Sequence, residues 1–242
     1  IVLVTGGVRG VGAGVSAVFA GQAATVITCA RRPVEGLPYE FHGCDVRDPD
    51  AVGSLIDTIV DRHGRLDAVV NNAGGSPYAL AADASPRFHQ KVIELNLLGM
   101  LHVSQAANTV MQQQSNGGTI VSISSVSGRR PSPGTAAYGA AKAGVDSLTA
   151  SLAVEWAPKV RVNAVVAGMV ATEQVELFYG DSSSQAAVAS TIPMGRLAQP
   201  SDIGWATAFL ASDAASYISG ATLAVHGGGE PPSYLSASNA NN

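Results

Sequence analysis

The chain begins Ile1-Val2-Leu3-Val4-Thr5-Gly6-Gly7-Val8-Arg9-Gly10-Val11-Gly12, and this stretch decides the fold. Its first four residues are apolar and mostly β-branched, which is typical of a strand in a buried parallel sheet. Apolar residues recur at helical spacing after the glycines, so a helix that ends near Gly21 is predicted. Glycines between a strand and a helix allow a tight turn and let the backbone approach a pyrophosphate. The stretch therefore predicts a dinucleotide-binding loop.

Three residues in the middle of the chain could transfer a proton beside such a cofactor. Tyr138 and Lys142 are four positions apart in a stretch, 136–157, that is predicted to be helical, so both side chains leave one face. A free phenol ionises near pH ~10, and a neighbouring ammonium favours its ionised form. Ser125 ends a predicted strand and can donate to the same substrate oxygen. The spacing alone is also typical of a surface pair, but the glycine loop favours the catalytic interpretation.

The chain resembles the short-chain dehydrogenases/reductases over nearly its whole length. Its loop glycines Gly6, Gly10 and Gly12 have the spacing of that family rather than that of the commoner dinucleotide fingerprint. The other matching motifs, in the expected order, are Asn71-Asn72-Ala73-Gly74 after the fourth strand, Asn96 in a helix, Ile123-Ser124-Ser125 at the end of the fifth strand, and Tyr138 with Lys142. Within the family, the chain resembles the subgroup that includes 3-oxoacyl carrier-protein reductases and hydroxysteroid dehydrogenases.

Strands that alternate with helices predict an α/β fold, a single-domain Rossmann-like doubly wound parallel seven-stranded sheet with helices on both faces. The strands are expected near residues 1–5, 25–29, 39–43, 66–71, 118–124, 160–165 and 221–225. A helix is predicted over 49–64, because Asp48 can cap it, Pro49 suits its first turn and Gly64 ends it.

Two segments are expected to lie outside this regular pattern. Residues 173–193 have no clear place in the sheet, and in the family that the chain resembles such a segment closes over the substrate. Residues 230–242 are polar and contain two prolines near their start, so we expect an arm or a disordered tail after a single domain over 1–229.

The composition argues against several classes of function. The 242 residues have a formal net charge of −4, and only 13% are charged, which does not indicate a nucleic acid partner. No apolar stretch approaches the ~20 residues that span a bilayer, and the visible N-terminus enters a strand instead of a signal peptide. We therefore expect a soluble, cytoplasmic protein with no membrane partner. Cys29 and Cys44 end apolar runs and are expected to fill the core, while the five histidines lack metal-ligand spacing, so no metal is predicted.

The residues around the second strand predict the cofactor. An acidic residue at the end of this strand binds the ribose 2′-hydroxyl in NAD-specific sites and repels a 2′-phosphate, but Ala30 stands there. Arg31 and Arg32 follow it, and Arg9 precedes the second loop glycine, where NADP-preferring members of the family often carry a base. Guanidinium groups suit phosphate, so NADP(H) is favoured over NAD(H). The alternative is that all three are solvated surface arginines.

The resemblance implies roles for the remaining site residues. Tyr138 would be the acid/base and Ser125 would orient the substrate oxygen. Lys142 would bind the nicotinamide ribose and stabilise the tyrosinate, and Asn96 would hold a water that connects Lys142 to solvent. The predicted cofactor contacts are Gly6, Arg9, Gly10, Val11, Gly12, Arg31, Asp45, Val46, Asn72, Ala73, Gly74, Tyr138, Lys142, Val170 and Thr172. Asp45 could instead cap a helix, and Asn96 could be a packing polar group.

The chain departs from the family pattern at two positions. Ala167 stands where a proline commonly precedes Gly168, which would leave the loop that carries Val170 and Thr172 less rigid. His226 stands where an aspartate is common, and it could alter a subunit contact or only pack.

These observations predict an NADP(H)-dependent, or else NAD-dependent, oxidoreductase that interconverts a ketone and a secondary alcohol by hydride transfer. Residues expected to face an apolar substrate are Gly75, Met169, Phe178, Tyr179 and Met194. That substrate could be a fatty-acyl thioester, a steroid-like ring or a smaller ketone. Arg129 and Arg130 could select an acidic substrate or be ordinary surface residues.

Two other functions on the same fold stay open, a catalytically silent nucleotide-sensing protein and a sugar-nucleotide epimerase. An intact serine, tyrosine and lysine argues against the sensor, and the short chain after the last strand argues against the epimerase. Small residues on helices 101–111 and 140–157 predict a homo-oligomer, a dimer or a tetramer.

Overall fold

The computed structural model describes residues 1–237, which form a seven-stranded sheet with helices on both faces. The strands are β1 (Val2–Thr5), β2 (Val26–Ala30), β3 (Glu40–Gly43), β4 (Ala68–Asn71), β5 (Gly118–Ser125), β6 (Val160–Ala167) and β7 (Thr222–Val225). Their spatial order is β3-β2-β1-β4-β5-β6-β7, and every neighbouring pair is parallel. The predicted fold class is confirmed, and each strand lies within two residues of its expected bounds.

Helices connect the strands and cover the sheet. They are α1 (Gly10–Gly21), α2 (Pro49–His63), α3 (Pro86–Ile93), α4 (Gly99–Met111), α5 (Ala136–Trp156), α6 (Val175–Tyr179), α7 (Ser182–Ser190), α8 (Pro200–Ala211) and α9 (Ser233–Ala237). The cap signals of α2 work as predicted, since the Asp48 carboxylate accepts from the amides of Asp50 and Ala51. Gly64 ends the helix with a left-handed φ of 74°.

The core lies in two layers, because successive residues of a strand point to opposite faces of the sheet. Leu3 of β1 belongs to the layer that contains Ile56 of α2, whereas Val4 belongs to the layer that contains Phe19 of α1. Both cysteines are buried in the first layer, as expected of core residues. The two layers fix the sheet between the helices and so hold the carboxyl ends of the strands in place.

The two segments expected to be irregular both contain short helices. Residues 173–193 carry α6 and α7, and the start of the tail carries α9. Residues 238–242 of the predicted arm lie outside the described residues, so that prediction stays open. Within residues 1–237, no helix is both long enough and apolar enough to cross a bilayer.

Candidate active site

A cleft of about 900 Å³ opens at the carboxyl ends of the strands. Its walls come from the loops after β1 and β4, the end of β5 and the end of β6. In a doubly wound sheet this edge is where ligands bind, because the connections on either side of the reversal in strand order leave a crevice. Every predicted catalytic or cofactor-binding residue lines this cleft except Asn96, which lies behind the cleft wall.

The loop after β1 has a shape that only glycine permits. Gly6 and Gly10 have φ angles of 64° and 55°, in the left-handed region that favours glycine. A Cβ on Gly12 would lie 2.3 Å from the carbonyl oxygen of Gly6. The loop therefore presents bare backbone to the cleft, as a phosphate cradle requires.

Thr5 ties this loop to the loop after β4, a role that the sequence analysis missed. Its hydroxyl oxygen accepts from the amides of Asn72 (3.0 Å) and Ala73 (3.1 Å). The Asn72 side chain donates in return to the carbonyls of Thr5 (3.0 Å) and Gly6 (3.2 Å). A threonine at a strand end does not by itself predict these hydrogen bonds, which join residues more than 60 positions apart.

Ser125, Tyr138 and Lys142 come together at the far wall of the cleft. Ser125 ends β5, and the other two lie in the first two turns of α5. The Ser125 hydroxyl lies near that of Tyr138 and favours the ionised form of the phenol. The Lys142 Nζ atom lies 5.5 Å from the centroid of the Tyr138 ring and donates to the carbonyl of Ile123 at 2.7 Å. The predicted trio is thus assembled around one point in the cleft.

The electrostatics of this trio differ from the prediction. Burial raises the pKa of Tyr138, and the neighbouring Ser125 hydroxyl opposes this only in part. Burial also lowers the pKa of Lys142 to about 8, against the opposite influence of the Asp146 carboxylate. The net shift of the Tyr138 pKa is therefore opposite to the expected one, because loss of hydration outweighs the groups that favour the phenolate. Tyr138 is protonated at neutral pH, in the form that donates.

Asn96 positions the cleft wall. It lies in a π-helical turn, Glu94–Leu98, and such turns often occur at functional sites. Its amide nitrogen donates to the carbonyls of Gly75 and Val92, both at 2.9 Å, and its amide oxygen accepts from the Gly75 amide at 2.8 Å. The side chain thus holds Gly75 in place from behind, while the predicted contact with a water stays a prediction.

The arginines expected to read the cofactor are exposed at the cleft. Within residues 1–237, none of Arg9, Arg31 and Arg32 forms an ion pair. Asp45 does form one, because Arg47 donates to its carboxylate from Nη2 (2.5 Å) and Nε (2.9 Å). These contacts lower the pKa of Asp45. Asp45 was predicted as an adenine contact, whereas its partner Arg47 was not predicted as a site residue.

A carboxylate occupies the anion position at the start of α1. The Glu173 Oε2 atom accepts from the Gly10 amide at 3.0 Å. Free amides and the helix dipole favour negative charge at this point, so the carboxylate stands in for a phosphate oxygen. Together with the glycine cradle, this contact shows that the residues present fit the diphosphate of a dinucleotide. Glu173 was not predicted as a site residue.

The substrate side of the cleft is lined by four of the five expected residues, namely Gly75, Met169, Phe178 and Tyr179. The prediction for Met194 is wrong: its side chain is 68% exposed and does not line the cleft, since its amide is bound to the Gly227 carbonyl at 3.0 Å. Tyr179 lies on α6, so the segment after β6 does reach the substrate side.

Arg129 and Arg130 do not act as a pair. Arg129 points away from the cleft, donating to Asp146 at 3.1 Å and to the Thr222 hydroxyl. Arg130 lines the cleft and forms a two-point ion pair with Glu230, with Nε to Oε2 at 2.6 Å and Nη2 to Oε1 at 2.8 Å. The expectation of a paired guard is therefore wrong for Arg129 and applies to Arg130 alone.

The two departures from the family pattern lie close together. A Cβ on Gly168 would lie 2.8 Å from the His226 Cα, so the loop after β6 packs tightly against this histidine. The His226 Nδ1 atom is buried and has no hydrogen-bond partner among the described residues. His226 thus packs beside the loop in which Ala167 replaces proline, and its part in a subunit contact stays a prediction.

Comparison with known proteins agrees with this fold and cleft. A family model described as Enoyl-(Acyl carrier protein) reductase matches residues 6–230. The 3-oxoacyl-[acyl-carrier-protein] reductase FabG of Thermotoga maritima is 34% identical over 240 residues, which cover 94% of this chain and 96% of the relative.

Two solved structures are similar throughout. Ligand-free aldohexose dehydrogenase of Thermoplasma acidophilum has a TM-score of 0.90 and 32% identity, covering 100% of this chain and 95% of its own. ElxO with NADP bound has a TM-score of 0.87 and 33% identity, covering 97% and 98%. Fold and cleft together define a Rossmann-fold oxidoreductase. The chain belongs to the short-chain dehydrogenase/reductase family.

Proposed function

We propose that the protein is an NADP(H)-dependent oxidoreductase that interconverts a ketone and a secondary alcohol, with Tyr138 as the acid/base. The observation that carries this proposal is that Ser125, Tyr138 and the buried Lys142 line the same cleft, with the Lys142 Nζ atom 5.5 Å from the Tyr138 ring centroid. A nucleotide sensor has no use for a serine, a tyrosine and a buried lysine around one point, so the catalytic function is favoured.

Different residues of the cleft would bind different parts of the cofactor. The cofactor, when bound, supplies or accepts the hydride. The glycine loop and the start of α1 would hold its diphosphate, and Arg9, Arg31 and Arg32 would bind a 2′-phosphate. Asp45 and Val46 would meet the adenine. Tyr138 and Lys142 would bind the nicotinamide ribose, with Val170 and Thr172 at the carboxamide. The NADP bound to ElxO, a similar protein, supports NADP(H) for this chain.

The side chains supply the proton and orient the substrate. In reduction, Tyr138 donates its proton to the carbonyl oxygen, and Ser125 donates a hydrogen bond to the same oxygen. The raised pKa of Tyr138 keeps that proton in place at neutral pH. With a pKa of about 8, Lys142 is cationic in most molecules at pH 7, and its charge one turn away stabilises the tyrosinate that remains. Oxidation of an alcohol reverses these transfers.

The substrate that fits is an apolar carbonyl compound with an acidic group, such as an acyl thioester. Met169, Phe178 and Tyr179 offer an apolar wall, and Arg130 lies at the cleft where an anionic group could replace Glu230. The activity in the name of the Thermotoga maritima relative, on an acyl carrier thioester, supports this class. Smaller ketones also fit the apolar wall, but they have no anionic group that could pair with Arg130.

The test is NADPH oxidation, followed by absorbance, over a panel of ketones and thioesters with the parent and Tyr138→Phe. This change deletes the proton donor and keeps the ring, so turnover is expected to fall by ~10²–10⁴-fold while NADPH binding is retained. Tyr234→Phe, at an exposed tyrosine outside the cleft, is the matched control. Near-normal turnover of Tyr138→Phe would refute the mechanism, and NADPH binding without turnover of any substrate would favour the sensor.

A further inference from the structure

Two thiols lie side by side in the wall of the cleft, at its adenosine end. Cys29 is the fourth residue of β2, and Cys44 follows the end of β3. The Cys44 amide donates to the Ala30 carbonyl at 3.0 Å, which holds the two strand ends together. Both cysteines line the cleft beside Ala30 and Asp45, and they are the only cysteines of the chain. No step of the proposed reaction uses them.

The two side chains lie in one buried cluster and differ in character. The residues are only 1% and 6% exposed, and each thiol influences the ionisation of the other. Cys29 lowers the pKa of Cys44, while Cys44 together with burial raises the pKa of Cys29. A thiolate is the reactive form of cysteine, so Cys44 has the properties of an attacking thiol and Cys29 those of its partner. The cleft gives a small oxidant a way to reach them.

We propose that Cys29 and Cys44 are a reversible disulfide site through which a peroxide controls dinucleotide binding. The Cys44 thiolate attacks an oxygen of hydrogen peroxide, the O–O bond breaks, and a sulfenic acid and hydroxide form. Cys29 then attacks the sulfenic sulfur, the S–S bond forms, and hydroxide leaves. The Cys29 proton and the proton first lost by Cys44 convert the two hydroxides to water. In total, two thiols lose two electrons and one peroxide becomes two waters.

The disulfide would change the shape of the adenosine end. Bonded sulfur atoms are ~2.05 Å apart, closer than two free thiols can approach, and the Cβ atoms must come to ~3.5–4.5 Å. Bond formation therefore pulls the end of β3 toward β2 and moves the residues directly attached to the cysteines, Ala30 and Asp45. Asp45 is a cofactor contact of the proposed function, on which this inference rests, and Ala30 directly precedes another, Arg31. The oxidised protein should bind the dinucleotide more weakly.

The experiment treats the full chain with hydrogen peroxide and follows two independent quantities. Intact mass and thiol titration report the disulfide, which is a loss of two hydrogens and of both thiols, and calorimetry reports the Kd for NADPH. We expect one intramolecular disulfide per chain, an NADPH Kd raised at least tenfold, and full recovery of both with dithiothreitol. Saturating NADPH should slow the loss of thiols, because it covers the cleft.

Variants separate this site from other oxidation. Cys29→Ala and Cys44→Ala should each prevent the disulfide, and the double variant should keep its NADPH affinity after peroxide, with melting temperatures confirming that all are folded. The inference is overturned if the mass-confirmed disulfide leaves NADPH binding unchanged, if peroxide gives no intramolecular disulfide, or if the double variant loses affinity equally. A reduced parent that binds neither NADPH nor NADH contradicts the proposed function instead, since the disulfide itself is measured without cofactor.

Discussion

Lys142 is a buried charge next to the proton donor, and its environment sets how it ionises. Its side chain is 6% exposed, and its Nζ atom is bound to the Ile123 carbonyl. Loss of hydration disfavours the ammonium, which is why its pKa falls to about 8. The folded protein is therefore less stable when this lysine is charged than when it is neutral.

That cost predicts a dependence of stability on pH. Unfolded chains keep the Lys142 proton up to about pH 10.5, whereas folded chains release it near pH 8. Between these values the unfolded state binds more protons, so stability due to this group rises with pH. Relative to Lys142→Met, the parent should gain up to about 3 kcal/mol of unfolding free energy from pH 7.5 to pH 10.5, by urea denaturation. For the control Lys91→Met, at an exposed lysine, the difference in unfolding free energy from the parent should stay constant over this pH range. A constant difference for Lys142→Met as well would contradict the burial effect.

Arg31 gives a prediction on cofactor choice. It is exposed at the cleft without an ion pair in the described part of the chain, so NADPH should bind more tightly than NADH. Charge-assisted contacts are worth roughly 1.5–3 kcal/mol, so Arg31→Ala should weaken NADPH binding about tenfold or more and leave NADH binding nearly unchanged. Arg87→Ala, at an exposed arginine outside the cleft, is the control. Equal affinities of the parent for both cofactors would refute this role of the arginines.

At the scale of single residues, the sequence predicted which side chains lie together better than how they ionise. Spacing four apart brings Tyr138 and Lys142 to one face of α5, and the structure confirms their proximity. Spacing says nothing of depth, and burial reverses the expected direction of the Tyr138 pKa. Arg129 and Met194 were misplaced for a related reason, because neighbours distant in sequence, Asp146 and Gly227, determine where they lie.

At the scale of elements, the start of α1 is contacted by the segment after β6. Glu173 accepts from the Gly10 amide where a cofactor phosphate would bind, so the carboxylate and the cofactor compete. A charge at a helix N-terminus is worth ~0.3–1 kcal/mol, so Glu173→Gln should tighten NADPH binding about two- to fivefold by titration calorimetry. Glu176→Gln on exposed α6, a change of the same kind outside the cleft, should have no effect. Weaker binding by Glu173→Gln would mean that the contact instead supports the cofactor site.

The turn between β5 and α5 carries two neighbouring arginines, of which Arg130 lines the cleft and Arg129 does not. Arg129 can therefore serve as the control for Arg130. Arg130→Ala should lower kcat/KM for acetoacetyl coenzyme A about tenfold more than for a neutral diketone, because only the first has phosphates to pair with the guanidinium. Added salt should weaken the preference of the parent in the same direction. Arg129→Ala should affect both substrates equally, since Arg129 faces Asp146 and Thr222. Equal losses for Arg130→Ala would identify it as an ordinary surface residue.

The elements that the sequence predicted well are those with strong periodicity and clear ends. The seven strands are buried apolar runs, and α2 has an apolar stripe between Asp48 and Gly64. The π-helical turn around Asn96 could not be predicted, because it depends on bonds to Gly75 across the cleft wall. The helix α7 also went unpredicted, since its serine and alanine residues form no apolar stripe and favour several structures. The helix α6 has only five residues, too few to show a helical period.

At the scale of the whole molecule, two exposed surfaces could bind further copies. The outer face of α5 presents Ala143, Ser147, Ala150 and Val154 at helical spacing, all exposed, and Val154 is 81% exposed. Small residues let two such helices approach closely across a two-fold axis. A second surface carries the large exposed side chains Trp205 and Phe209 of α8, Tyr217, and Leu223 of β7. A tetramer with dihedral symmetry needs two different self-complementary surfaces, so we expect one.

The oligomer can therefore be taken apart one surface at a time. Val154→Lys places charges against each other across the α5 axis, and Trp205→Lys does so at the second surface, so each should convert the tetramer to a dimer. The two together should give a monomer, and Thr58→Lys on exposed α2 should leave the tetramer intact. Light scattering at micromolar concentration measures each mass, and melting temperatures check folding. A monomeric parent would exclude the oligomer. Loss of all association in one single variant would mean that only one of the two surfaces is used.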